Sequence, residues 1–228
     1  MGLVQGPAEV LPVSSSGHLV LLGSDDKAFE VFAHAGTAVA LLLALPVPRA
    51  RPLTLLPAAV AGLALEGPIE RRLGKRSVAV AQLACGLALI LADAAPERRE
   101  ESDAGLRDEI LVGLAQACAL VPGVSRNGAT ITAARLLGFR RDAAGNISRE
   151  AALPVIAGAT VLKLARMPAG RPPPAYVAGF VAAFASGLAA ARLVPRIDRL
   201  RSYAPFGIYR VALGMIALRS MRLNGRHG

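Results

Sequence analysis

Two short segments of this chain set a carboxylate, several hydroxyls, an imidazole and a guanidinium into otherwise apolar sequence. The first, GLVQGPAEVLPVSSSGH, runs from Gly2 to His18 and carries Gln5, Glu9, Ser14, Ser15, Ser16 and His18. The second, GLAQACALVPGVSRNGAT, runs from Gly113 to Thr130 and carries Ser125, Arg126, Asn127 and Thr130. Ionisable groups at such places are costly and argue for function. Ser15 and His18, three apart on a helical turn, share a face. An imidazole beside a hydroxyl is the smallest activated-nucleophile pair. Gln5 and Glu9, four apart, also share a face, and Glu9 could hold a cation or orient His18. Arg126 is the residue type suited to bidentate phosphate recognition. Nucleophile, base and anion clamp together read as a phosphoryl-transfer site. The plainer reading makes the serines a helix cap, His18 an interfacial residue and Glu9 a partner for some arginine. It leaves the second segment unexplained.

The elements that must position these residues are repeated. Aligned without a gap, Gly2–Gly17 and Gly113–Gly128 are identical at eight of sixteen positions. Each copy is an apolar run broken by proline, serine and glycine, so each reads as a broken helical hairpin, at 2–23 and 109–138. Apolar spans follow at 29–47, 53–69 and 78–94 in the first half, and at 149–166, 174–194 and 205–220 in the second. AGTAVALLLA (35–44) resembles AGATVLKLA (157–165), and CGLALIL (85–91) resembles LGMIALR (213–219). The expectation is one membrane domain over 1–228: repeat one at 2–94, a charged connector at 95–108 and repeat two at 109–220. A re-entrant hairpin followed by three spans inverts the second half relative to the first. The two polar breaks can then meet near the midplane, where irregular backbone is tolerated if it lines a cavity. The fold class is therefore all-α integral membrane, with two inverted-topology repeats.

Composition agrees. The chain is 54% hydrophobic with mean hydropathy +0.47, and its runs approach the roughly 20 residues that span a bilayer. Trp is absent, so there is no clear aromatic belt. The net charge of +10 is spread over the segments between apolar runs. It suits anionic lipid headgroups and lacks the clustering with aromatics that nucleic-acid binding requires. Lys and Arg divide almost evenly between the two sides of this topology, which leaves orientation open. Cys85 and Cys118 stand alone in apolar runs and read as small buried hydrophobes. No signal peptide is expected. Arg135, Arg149, Lys163 and Arg210 read as snorkelling cations.

QGPAEVLPVSSSGH resembles the glutamate motif and the P-V-S-S-[ST]-G-H motif of the undecaprenyl-diphosphate phosphatase family. PGVSRNGAT resembles that family's P-G-x-S-R-S-x-x-T motif, and FEVFAHAGTAVAL (29–41) its F-[DE]-V-x-x-H-x-G-T segment. The resemblance spans nearly the whole chain in order. It implies hydrolysis of a polyprenyl diphosphate to the monophosphate in the bacterial plasma membrane, and a divalent cation, Mg²⁺ or Ca²⁺. By motif position it implies catalytic roles for Glu9, Ser15, His18 and Arg126. It implies phosphate binding by Ser14, Ser125, Arg126, Asn127 and Thr130, and metal binding by Glu9 with Gln5. Two positions depart from the pattern: Gln5 replaces a frequent Glu, and Asn127 replaces a Ser. His34 matches a family histidine and reads as a structural hydrogen-bonding residue.

The partners implied are the lipid diphosphate and the membrane, not nucleic acid, and a homodimer is compatible. Attack by Ser15 with His18 as base and direct attack by water are both open. Two other readings stand beside hydrolysis. Broken helices in inverted repeats also build transporters, so a lipid-phosphate flippase is one, and a catalytically silent lipid binder is the other. Transport alone does not require the Ser15/His18 pair.

Overall fold

The computed structural model describes residues 1–23, 26–46, 49, 51–168, 170–199 and 201–224. These form eleven α-helices with no strand among the described residues: α1 Gly2–Val10, α2 Ser15–Leu21, α3 Lys27–Ala44, α4 Pro52–Arg72, α5 Lys75–Asp93, α6 Leu106–Cys118, α7 Arg126–Leu136, α8 Arg141–Ala165, α9 Pro174–Ala191, α10 Val194–Asp198 and α11 Ala204–Asn224. Three are long and apolar enough to cross a membrane. They are Lys27–Ala44, Lys75–Asp93 and Pro174–Ala191, with mean hydropathies of 1.4, 1.5 and 1.5.

Both expected hairpins are present, and they break in the same way. Leu11 leaves α1 extended, and the chain re-enters a helix at Ser14, whose φ is 73°. Ser125 caps α7 with φ 67°. These are the two non-glycine residues with positive φ among the described residues. Each serine hydroxyl accepts the N–H of the glycine three residues on, Gly17 at 3.2 Å and Gly128 at 3.1 Å. This N-cap bond compensates a backbone conformation that L-residues otherwise avoid.

The halves exchange partners. The first arm of each hairpin packs on the fourth helix of the other half, α1 on α9 and α6 on α4. α5 and α11 pair with each other through glycine contacts that are reciprocal. A Cβ on Gly86 would stand 2.8 Å from the carbonyl oxygen of Gly207, and one on Gly214 would stand 2.7 Å from that of Ala79. Only glycine permits such an approach at these two positions.

Polar pairs gather at opposite ends of the bundle. At one end the Tyr176 hydroxyl donates to Asp26 at 2.9 Å. At the other, Arg51 Nε donates to Glu150 at 2.5 Å, Arg49 reaches Glu101 at 3.0 Å, and Arg141 Nε donates to Asp93 at 2.8 Å.

Two expectations require correction here. The span expected at 149–166 is the second part of a longer helix that begins at Arg141. The polar run before Arg149 falls between the expected hairpin and span, but its side chains have tertiary partners: Arg141 on Asp93, Asn146 on Glu101 and Ser148 on Thr130. Arg135 and Arg210 do not snorkel. Both are 0% exposed. Arg135 donates to the carbonyls of Phe139, Asp93 and Ala95.

Candidate active site

The two hairpins meet through Glu9. Pro7 and Pro12 bracket it near the end of α1, and its carboxylate collects donors from both halves of the chain. Ser15, first residue of α2, donates its hydroxyl to Glu9 Oε2 at 2.7 Å. Arg126, first residue of α7, donates Nη2 to Glu9 Oε1 at 3.1 Å. Gln5 Nε2 lies 3.4 Å from Oε2, one turn back on α1. Charge-assisted bonds of this kind are the strong ones. They hold a largely buried anion where an isolated one would be very costly.

The pair opens onto a cavity of about 560 Å³ between α3, α8 and the hairpin breaks. Glu9, Ser14, Ser15, Ser125, Arg126 and Asn127 line its floor. The Ser14 and Ser125 hydroxyls accept their cap bonds and each keeps a proton to donate. Arg126 Nη1 is buried with no hydrogen-bond partner. Its guanidinium is therefore half satisfied, by Glu9, beside a space sized for a head group.

Other residues sit differently from the sequence expectation. His18 does not face Ser15. Its Nδ1 donates to the Ser14 carbonyl at 2.7 Å, its Nε2 accepts from the Tyr209 hydroxyl at 2.6 Å, and the two rings stack with centroids 5.6 Å apart. Both ring nitrogens are thereby used, while Ser15 turns to the stronger charged acceptor, Glu9. Thr130 is fully buried. Its hydroxyl donates to Ser148 Oγ at 2.6 Å and lies 2.9 Å from the Arg126 carbonyl, which locks α7 to α8 and leaves it out of the cavity lining. The Asn127 amide is also engaged: Nδ2 donates to the Val10 carbonyl at 2.5 Å and Oδ1 accepts from Ser148 at 2.6 Å. It splices the two hairpins together.

Sequence reasoning undervalued three residues. His34 on α3 lines the cavity, with Nδ1 2.9 Å from Gln5 Nε2 and 3.7 Å from Glu9 Oε2. The imidazole beside Glu9 is thus His34, not His18. Gln82 on α5 and Arg210 on α11 are both fully buried and bond each other at 2.9 Å, Arg210 Nε to Gln82 Oε1. Gln82 Nε2 donates to the Val13 carbonyl at 3.0 Å, while Arg210 Nη2 donates to those of Gly123 and Val124 at 2.8 and 2.7 Å. One polar pair therefore holds the carbonyls of both breaks. The signal was present: the match of 85–91 to 213–219 sets Gln82 and Arg210 at equivalent positions, each in an apolar run.

Among the described residues there is no group of three or more His, Cys, Asp or Glu side chains that could hold a metal. Gln5 Oε1, however, is buried without a partner, on the amide whose Nε2 lies 3.4 Å from Glu9 Oε2. One carboxylate and one neutral oxygen, completed by phosphate oxygens, is a ligand set Mg²⁺ accepts. The residues present fit such an ion.

Fold and site together define a helical membrane protein in which two broken helical hairpins join a carboxylate, a hydroxyl and a guanidinium at the floor of one polar cavity. The model of the family described as Bacitracin resistance protein BacA matches residues 1–46 and 52–216, and the chain belongs to that family. Among its curated relatives are proteins named undecaprenyl-diphosphatase from Geobacter sulfurreducens, 38% identical, and Geotalea daltonii, 35% identical. These alignments cover 94% and 96% of this chain and 93% and 95% of the relatives. A third of the same name, from Nocardioides sp., is 36% identical over 96% of this chain and 93% of its own length.

Proposed function

We propose that this protein hydrolyses undecaprenyl diphosphate to the monophosphate and inorganic phosphate, returning the lipid carrier to cell-wall synthesis in the bacterial plasma membrane. The observation that carries the reading is the Ser15–Glu9–Arg126 chain, which spans both hairpins and opens onto the cavity.

Ser15 Oγ attacks the terminal phosphorus and its proton passes to Glu9 Oε2, already its acceptor at 2.7 Å. The bond from that phosphorus to the bridging oxygen breaks, and the proton follows the departing lipid monophosphate. Water then attacks the phosphoserine and gives a proton to Glu9; the bond from phosphorus to Ser15 Oγ breaks, and Ser15 Oγ takes that proton from Glu9 as inorganic phosphate leaves. Arg126 keeps Nη2 on Glu9 and offers Nη1 to the equatorial oxygens, where charge is spread in the transition state. The N-terminus of α7 and the Ser14 and Ser125 hydroxyls add donors on the same floor. A divalent cation would be held by Glu9 and Gln5 and would neutralise phosphate charge. His18 and Thr130 act by position: His18 fixes the first break against α11, and Thr130 fixes α7 against α8.

The halves 2–94 and 109–220, joined by 95–108, are read as inverted repeats. Their exchanged packing and the reciprocal Gly86/Gly214 contacts support that relation.

The test is phosphate release from undecaprenyl diphosphate by purified protein in detergent, with and without chelator. Release by wild type and its loss in Arg126→Lys, which keeps charge but not the fork, are expected. No release by wild type, with the lipid diphosphate crossing a bilayer intact, would replace hydrolysis with transport.

A further inference from the structure

Between α9 and α11 the chain reads RLVPRIDRLR, four arginines against one aspartate in ten residues. Its short helix α10 sorts these side chains by face. Val194 is buried, and Ile197 packs on the cluster of Leu89, Ile131 and Tyr203. Both are spent on the bundle. Arg192, Arg196, Arg199 and Arg201 are exposed, and Leu193 among them is 46% exposed. None of the four guanidinium groups has a hydrogen-bond or ion-pair partner among the described residues. Asp93, the carboxylate that the end of this segment reaches, is already taken. It accepts from Arg141 at 2.8 Å, from Ser202 at 2.5 Å and from the Tyr203 N–H at 3.0 Å.

Place matters here as much as charge. α9 is long and apolar enough to cross a membrane, and Arg192 is its C-cap. The strip therefore stands where a span gives way to headgroups. Clustered cations beside a span attract anionic headgroups, and guanidinium groups bind phosphate with paired hydrogen bonds. An exposed leucine among cations suits the boundary with the acyl layer. A soluble anion would engage the arginines and leave Leu193 in water. Nucleic acid would call for interleaved aromatics, and the strip has none.

We propose that Arg192, Arg196, Arg199 and Arg201 form a docking site for the headgroup phosphate of an anionic phospholipid, with Leu193 seated against its acyl chains. The site lies outside the cavity above Glu9 and Arg126, takes a bilayer lipid rather than the diphosphate, and stands whether or not the protein is a hydrolase.

The experiment compares binding of dioleoyl phosphatidylglycerol and dioleoyl phosphatidylcholine to purified full-length protein in mixed micelles, read by native mass spectrometry. Wild type should prefer the anionic lipid, and high salt should erode that preference. Arg192→Gln combined with Arg196→Gln should cut affinity for phosphatidylglycerol about thirtyfold, roughly fivefold for each arginine. Arg192→Lys combined with Arg196→Lys keeps the charge and should keep most of the affinity. Arg98→Gln combined with Arg107→Gln removes equal charge from exposed positions of the connector at the same end and should change little. Equal losses from the two Gln pairs would reduce the effect to general charge attraction and overturn the site. An equal loss from the Lys pair would overturn it too, by giving these arginines a packing role. Displacement of the lipid by soluble glycerol phosphate at matching concentration would make the strip a site for free anions instead of a membrane contact.

Discussion

At the residue scale, the division of labour follows from which acceptor each donor has found. Ser15 and Glu9 share one proton path, so their losses should not add. Glu9→Gln and Ser15→Ala should each lower kcat about a thousandfold, within the range ascribed to general-base catalysis, and the double variant should be hardly worse. Additive losses, or substantial turnover in Ser15→Ala, would point to water as the nucleophile. His18 makes a different prediction. Its ring bridges the Ser14 carbonyl and Tyr209, so His18→Ala should lose activity together with thermal stability. Tyr209→Phe, which leaves the Ser14 bond in place, should stay within about threefold of wild type, the loss of one neutral hydrogen bond. Activity lost from His18→Ala at an unchanged Tm would instead bring the imidazole into the chemistry. Motif spacing showed which residue types gather here. It could not show that Ser15 chooses Glu9 over His18, because both lie within reach along the chain and only the folded geometry ranks them.

At the element scale, the breaks matter more than the helices. A broken helix leaves carbonyls without intrahelical partners, and in an apolar setting each must be met. Gln82 and Arg210 meet four of them, at Pro12, Val13, Gly123 and Val124. Gln82→Leu keeps the volume but strands the Val13 carbonyl and the guanidinium. It should cost roughly 2–3 kcal/mol in stability, the range for a buried group left unsatisfied, and should lower activity by shifting Ser15. A thermal melt checks the first effect and phosphate release the second; a neutral Gln82→Leu would show that the breaks hold without the pair. The connector has its own lock. Arg99 grips Asp108 at 2.7 Å and lies over the Phe139 ring, 4.2 Å from its centroid. That bond holds the Asp108 carboxyl below the usual carboxylate range. A depressed folded-state value means the stabilisation is present above the ordinary carboxylate pKa and fades as pH falls through the lower one. The wild-type Tm should therefore drop more steeply in acid than that of Asp108→Asn.

At the scale of the whole molecule, two ends can be distinguished. Asp26 and Tyr176 mark one, and Arg49, Glu101, Glu150 and Arg141 mark the other. The inverted-repeat reading sets these ends on opposite membrane faces. In a background lacking Cys85 and Cys118, Lys27→Cys and Arg171→Cys should react with a membrane-impermeant maleimide from one side of sealed vesicles. Ser102→Cys and Arg140→Cys should react from the other side only. Labelling of all four from one face would refute the topology. The repeat itself was visible in the alignment of Gly2–Gly17 with Gly113–Gly128, and its physical content is now explicit: equivalent serines cap equivalent helices at positive φ.

The amino-acid sequence by itself determined the helical class, the two broken hairpins and the residue types at their breaks. Those depend on local rules: apolar period, proline and glycine punctuation, and the capping preference of serine. It also marked Glu9 and Arg126, because a charge in an apolar run stands out wherever it points. Only the tertiary structure decided which side chains meet. It brought His34 to Glu9 from a helix beyond the hairpin, sent His18 to Tyr209 across most of the chain length, and turned Thr130 inward to Ser148. It also turned two cations that sequence placed at an interface into buried clamps, because hairpin carbonyls left open by the breaks converge on Arg210, and carbonyls at the end of α5 and just past α7 converge on Arg135. Hydrogen bonds between distant segments are satisfied by whichever partner the packing brings within about 3 Å, and no local pattern encodes that choice.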